Sequence, residues 1–270
     1  MNKTLLALAS TLAIAALPQL AQAQVAAPAP APAPAAPEAS PLSFNVSLTS
    51  DYRYRGISQT RLKPAIQGGA DYAFASGFYV GTWASTIKWI KDTETAAGVD
   101  AKGSVEWDLY GGYKGEIAKD LTYDVGVLSY VYPSNKYGDI PGAANANTTE
   151  IYGALTYGPA TLKYSHSVTN LFGFADSKNS GYVDLSATFE VGPAIQLIPH
   201  VGYQRVAHYS DFSYTDYSFT VGKDFSGFFV SAAVVGADTK SINGVKAYAS
   251  PANGKDLGKT SLVVAVKKTF

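Results

Sequence analysis

In the stretch SDYRYRGISQT, residues 50–60, Arg53 and Arg55 alternate with Tyr52 and Tyr54. Alternating charged and aromatic side chains need water or counter-charge on one side and an apolar or interfacial surrounding on the other. Carboxylates follow the same every-second-residue pattern: Asp51, Asp71, Glu106 with Asp108, Asp124, Glu150, Asp184, Glu190 and Asp216, with Lys163 as a further cation. A set of this kind does electrostatics rather than bond-making. Lining charges of one sign along a passage select ions of the other sign.

Other chemistry finds little support. His166, His200 and His208 have no metal-ligand spacing and no H-E-x-x-H surrounds them, so no metal site is expected. The GKT at 258–260 lacks the phosphate-loop glycine, because Asn253 stands in its place. No G-x-S-x-G elbow is present, and YSHS at 164–167 is the one local hint of a Ser–His pair. Ordinary strand residues account for it better. The expectation is a protein that is not an enzyme, with no catalytic, cofactor or metal residues.

The elements that position these charges repeat with period two, the signature of β-strands. Over 44–55, Phe44, Val46, Leu48, Ser50, Tyr52 and Tyr54 fall on one face, and Asn45, Ser47, Thr49, Asp51, Arg53 and Arg55 on the other. The same alternation marks segments around 66–74, 105–110, 121–127, 150–157, 183–190, 216–221 and 260–270. Segments 78–90, 160–169, 197–206 and 228–238 also read as strands, and the facing of 78–90 and 228–238 stays undecided. About twelve strands result. Their connections alternate between short turns near 75–77, 114–120, 158–159, 192–196 and 223–227 and long loops near 56–64, 91–103, 133–148, 170–180, 207–213 and 239–258. Short turns at one end and long loops at the other are the habit of bacterial outer-membrane barrels.

The start of the chain fits export. Residues 1–23 combine Lys3, an apolar run from Leu5 to Leu17 and Ala21-Gln22-Ala23, the pattern of a cleaved signal peptide. Residues 24–41 are an Ala/Pro tract, read as a semi-rigid periplasmic linker. The barrel is expected over 42–270. Charge is balanced at 21 Lys+Arg against 21 Asp+Glu, which argues against nucleic acid as a partner. There is no cysteine, so barrel closure rather than disulfides must hold the fold.

An arginine facing lipid near the bilayer midplane would cost about 2–4 kcal/mol. Arg53 and Arg55 are therefore expected to face the lumen with Asp51, Asp71, Glu106, Asp108, Asp124, Glu150, Lys163, Asp184, Glu190 and Asp216. Tyr52 and Tyr54 are then expected outside, in an aromatic girdle. Inward Tyr110, Tyr130, Tyr132 and Tyr152 are large enough to narrow or close the lumen.

The segments NVSLTSDYRYRGISQT, PAIQGGADYAFASGFYVGTWAS, EWDLYGGYKGEI, LTYDVGVLSYVYP, TEIYGALTYGPATLKYSHS and YTDYSFTVGKDFSGFFVSAAVV resemble the TorF-type porin family of proteobacterial outer-membrane proteins. The resemblance spans 44–270 and is most specific from Ser50 to Ser85. It implies an outer-membrane barrel and passive transport, with no assigned substrate or site. The terminal Phe270 resembles the signal read by the outer-membrane assembly machinery, although Lys268 stands where an apolar residue is commoner.

Taken together, the expectation is an all-β transmembrane antiparallel barrel with both termini periplasmic, in the outer membrane of a Gram-negative cell. Its expected partners are outer-membrane lipid and lipopolysaccharide, the barrel-assembly machinery and small solutes or ions. Its expected function is a porin-like channel for passive diffusion, with a weak cation preference. The alternatives are a closed-lumen structural or adhesive barrel acting through its loops and, below that, a barrel enzyme.

Overall fold

The computed structural model describes residues 40–270. The signal-peptide assignment and nearly all of the linker assignment fall on 1–39, outside the described residues. Twelve strands form the wall: β1 (Leu42–Thr49), β2 (Ala65–Ala73), β3 (Phe78–Thr86), β4 (Val105–Ala118), β5 (Leu121–Val131), β6 (Thr148–Tyr157), β7 (Ala160–Ser167), β8 (Gly181–Ala187), β9 (Ile195–Arg205), β10 (Tyr214–Phe225), β11 (Phe228–Asp238) and β12 (Ser261–Thr269). Each pairs antiparallel with its sequence neighbour, and β1 pairs with both β2 and β12, which closes the sheet. Closure leaves no strand edge unpaired. β8 resumes for one short piece at Phe189–Glu190, and the break at Thr188 lies near Pro199 of β9, which has no N–H to donate.

The pleat is inverted relative to a water-soluble protein. Leu48, Ile66, Leu109, Val127, Leu185 and Leu262 point away from the barrel and are exposed. Ser47, Gln67, Glu106, Asp184, Gln196 and Asp216, one pleat position away, are buried inside. Side chains that would form a core in water are on the outer surface of every strand. This is the pattern that hydrocarbon outside and polar groups inside select.

Connections are sorted by length as the sequence indicates. The turns at 74–77, 119–120, 158–159, 191–194 and 226–227 lie at one end, and the loops 50–64, 87–104, 132–147, 168–180, 206–213 and 239–260 at the other. Phe44 and Phe270 exchange backbone hydrogen bonds (Phe44 N–H to Phe270 O 3.2 Å, Phe270 N–H to Phe44 O 2.8 Å), so both described ends lie at the short-turn end.

Three expectations need correction. β1 stops at Thr49 and does not run on through Arg55. Tyr52 and Tyr54 do not sit on an outer girdle: Tyr52 is buried within the barrel and Tyr54 packs against the same inner cluster. The strand read over 78–90 ends at Thr86, and a helix, α1 (Trp89–Ala96), follows where a plain loop was expected. The undecided strands are now oriented, with Tyr79, Trp83 and Ser85 inward on β3 and Phe229, Ser231, Ala233 and Val235 inward on β11.

Candidate functional site

The segment after β1 turns into the barrel. Arg53–Tyr54 pairs with Ile57–Ser58 as a miniature hairpin closed by Arg55 and Gly56. Both turn residues have positive φ (Arg55 45°, Gly56 77°), the geometry of the two-residue turn whose twist suits a hairpin. Gly56 is required by space as well as by φ. A Cβ there would lie 2.7 Å from Asp216 Cβ and 2.8 Å from Gly236 O on the barrel wall. The hairpin tip is thus seated against β10 and β11.

Two guanidiniums hold this plug. Arg53 is fully buried, donates from Nε to Asp51 Oδ2 (2.5 Å) and from Nη1 to the carbonyls of Gly56 (2.9 Å) and Leu257 (2.8 Å). It ties the hairpin to the loop 239–260. Asp51 also accepts from the hydroxyls of Ser58 (2.5 Å) and Thr60 (3.0 Å), so its charge is fully used within the segment. Arg55 reaches the opposite wall. Its Nη1 and Nη2 donate to Glu150 Oε1 and Oε2 (3.1 and 2.7 Å), and Nη1 also reaches Gln204 Oε1. Its guanidinium lies 4.7 Å from the Tyr54 ring centre and 4.2 Å from that of Tyr182. A two-pronged guanidinium–carboxylate pair flanked by rings is a strong, directional contact.

Aromatic side chains fill the space around the plug. Tyr52, Trp83, Tyr110, Tyr130, Tyr132 and Tyr152 form one buried cluster, with Tyr54 and Phe172 packed on it. Tyr52 stands edge-on to Trp83 at 5.4 Å, and Tyr54 edge-on to Tyr130 at 5.4 Å. On the other side, Ile57 of the plug packs with Tyr214 and Leu257. The lumen is occupied at the level of the plug.

The remaining lining charges form two groups. On the β2–β6 wall, tyrosine hydroxyls donate to carboxylates: Tyr110 to Asp71 (2.6 Å), Tyr52 to Glu106 (2.7 Å) and Tyr79 to Asp124 (2.6 Å). Lys114 lies 3.7 Å from Asp124, and the Lys163 ammonium sits 4.1 Å from the Tyr152 ring centre. On the β8–β10 wall, His200 stands between Asp184 (Nε2 to Oδ2, 2.8 Å) and Asp216 (Nδ1 to Oδ2, 3.7 Å), and Tyr182 donates to Asp216 (2.9 Å). Glu190 is paired across from the buried Gln196, so it shares the inner face, but it is exposed at the short-turn rim.

The structure therefore brings Arg55 together with Glu150, Arg53 with Asp51, and Asp184 with Asp216. Asp71 and Asp124 are held by tyrosines, and Glu190 stands apart. Sequence reasoning missed the participation of His200, Gln204 and Tyr182. The signal was available in the hairpin arithmetic: Asp184 and Asp216 both oppose Gly202 across neighbouring strands, and His200 is the next inward residue on β9. Gly202 leaves room for the Tyr182 ring, whose hydroxyl a Cβ there would overlap in its present position. Among the described residues, no group of three or more His, Cys, Asp or Glu side chains is arranged to hold a metal ion.

A closed twelve-stranded antiparallel barrel with an apolar exterior and a charged interior defines the porin-type barrel fold. The chain belongs to Gcw_chp, a family described as a bacterial protein of unknown function, matched over residues 33–270. Comparison with curated proteins finds no match. Among solved structures, the KdgM porin is similar with a TM-score of 0.50 at 8% identity, covering 85% of this chain and 98% of that chain. The KdgM porin in complex with disordered oligogalacturonate gives the same values. The NanC porin in a rhombohedral crystal form is similar with a TM-score of 0.50 at 9% identity, covering 85% of this chain and 98% of that chain. At these identities the likeness concerns the fold.

Proposed function

We propose that the protein is an outer-membrane porin-like channel whose passage is regulated by the in-turned segment 50–60. The observation that carries this reading is the inverted pleat: Leu48, Ile66, Leu109, Val127, Leu185 and Leu262 point outward, while charged and polar side chains such as Glu106, Asp108, Asp184, Gln196 and Asp216 are held inside. Such a barrel is stable only with lipid around it. A polar interior surrounded by lipid serves passage of hydrophilic solutes or ions, in keeping with the TorF-type resemblance. The long loops then face outward from the cell, and the short turns and both termini lie in the periplasm, consistent with an exported chain carrying a cleaved signal peptide. Phe270 serves the assembly machinery, and the apolar belt meets membrane lipid and lipopolysaccharide.

The finer proposal is a weak preference for cations. Glu106, Asp108, Asp184 and Asp216 are buried along the interior, whereas Arg53 and Arg55 are consumed by Asp51 and Glu150. Even with Lys114 and Lys163 counted beside the two arginines, the eight interior carboxylates Asp51, Asp71, Glu106, Asp108, Asp124, Glu150, Asp184 and Asp216 leave an excess of negative charge along the lining. Oligogalacturonate, the acidic ligand of one KdgM complex, does not suit such a lining and is not proposed as a solute of this chain.

A second reading is favoured by one observation. The plug and the aromatic cluster fill the lumen at one level, which suits a closed barrel acting through its loops. Conductance of the refolded mature protein in a planar bilayer under a KCl gradient separates the two. Discrete steps with a cation-favouring reversal potential support the channel. A folded, heat-modifiable barrel that passes no current supports the closed one.

A further inference from the structure

Asp108 lies on the inner face of β4 and is fully buried, and no protein group donates to either of its carboxylate oxygens. That sets it apart from its neighbours. Glu106, two residues along on the same face, accepts from Tyr52, and Glu150 is neutralised by Arg55. A buried carboxylate without a donor or counter-ion is costly, because burial removes its hydration and nothing replaces it. Its surroundings are aromatic. Trp83 of β3 and Tyr130 of β5 are its direct cross-strand neighbours, Tyr110 is the next inward residue on its own strand, and Tyr52 stands edge-on to Trp83.

We infer that Asp108, with Glu106 beside it, is a binding site for a small organic ammonium ion within the lumen. Carboxylate oxygens supply the counter-charge and hydrogen-bond acceptors for an ammonium head. The neighbouring rings of Trp83, Tyr130 and Tyr110 would supply the attraction that aromatic groups have for a weakly hydrated cation. A divalent metal is disfavoured, since no group of three or more ligating side chains converges among the described residues. The inference deepens the channel reading and rests on it for access, because Asp108 is fully buried on the inner face of the wall.

The test uses the full mature protein in detergent and titrates methylammonium chloride at constant ionic strength against NaCl. The readout is intrinsic fluorescence, since the only tryptophans are Trp83, Trp89 and Trp107 and Trp83 lines the site. A saturable response is expected, weakened roughly tenfold or more by Asp108→Asn, the loss of one charge-assisted contact. Asp108→Glu, which keeps the charge, should retain most of it. A response that never saturates in the wild type overturns the inference by itself, whether or not the variants fold. Equal affinity in wild type and Asp108→Asn also overturns it. The same preparation in a planar bilayer keeps the two ideas apart. Saturable binding without current leaves the site and removes the channel; current without binding leaves the channel and removes the site.

Discussion

Arg55 and Glu150 meet as a two-pronged ion pair inside the barrel, at 3.1 and 2.7 Å, although one belongs to the hairpin tip and the other to β6. Both side chains are almost wholly buried. The pair joins an inserted segment to the wall that surrounds it. Removing one partner of a buried pair leaves the other charge uncompensated, at a cost of about 3–5 kcal/mol. Arg55→Ala and Glu150→Gln are each expected to loosen the plug and lower stability by an amount of that order. The double variant should cost less than the sum of the two. Urea unfolding in lipid vesicles measures all three, and strictly additive effects would show that the contact is not shared.

Gly56 governs how the plug seats. Its φ of 77° and the 2.7 Å approach to Asp216 leave no room for a methyl group. Gly56→Ala should displace the hairpin from the β10–β11 wall, with a strain of about 1–3 kcal/mol. Amide hydrogen exchange is expected to accelerate over 52–60 while β4 and β5 stay protected. Unchanged exchange in the hairpin would show that the seat tolerates a side chain.

The outer face makes a separate claim about the solvent. Leu109 is exposed on β4, away from both strand ends. In a bilayer, Leu109→Arg should lower folding stability by about 2–4 kcal/mol. A water-exposed surface would register the same change within about 0.5 kcal/mol. Reversible refolding into vesicles decides between them.

Phe270 should matter to assembly rather than to the finished barrel. It is 70% exposed, so little packing is lost on its removal. Phe270→Ala is expected to refold in vitro like the wild type and to reach the outer membrane of cells in reduced amounts. Equal amounts of heat-modifiable barrel in cell envelopes would remove the assembly role.

Much of the wall was legible because alternation is local. Phe44, Val46 and Leu48 against Asn45, Ser47 and Thr49 fix their own faces, and the turn chemistry of Gly77, Gly158 and Gly227 marks the short connections. The plug was not legible, because the alternation runs unbroken through Ser50–Arg55 and nothing before Gly56 announces that the chain has left the wall. The reversal of Tyr52 and Tyr54 from outside to inside follows from that one departure. The facing of β3 was hidden because Phe78, Tyr79, Val80 and Trp83 put apolar groups on both faces. Space on neighbouring strands resolves it: a Cβ at Gly112 would lie 2.5 Å from the Tyr79 hydroxyl, so only glycine there admits the inward ring. Helix α1 spans eight residues and is held by tertiary contacts of Ile90, Asp92 and Glu94, which no local pattern reveals.

The most direct test of a plugged passage compares the wild type with the charge-neutral double variant Arg55→Ala/Glu150→Ala in the same planar bilayers. Removing the pair as a unit releases the hairpin from β6 without stranding a charge. Brief, small steps from the wild type and longer, larger ones from the double variant are expected, both favouring cations under a KCl gradient. Identical current, or none from either protein while both stay folded and heat-modifiable, would contradict a lumen opened by release of the 50–60 segment.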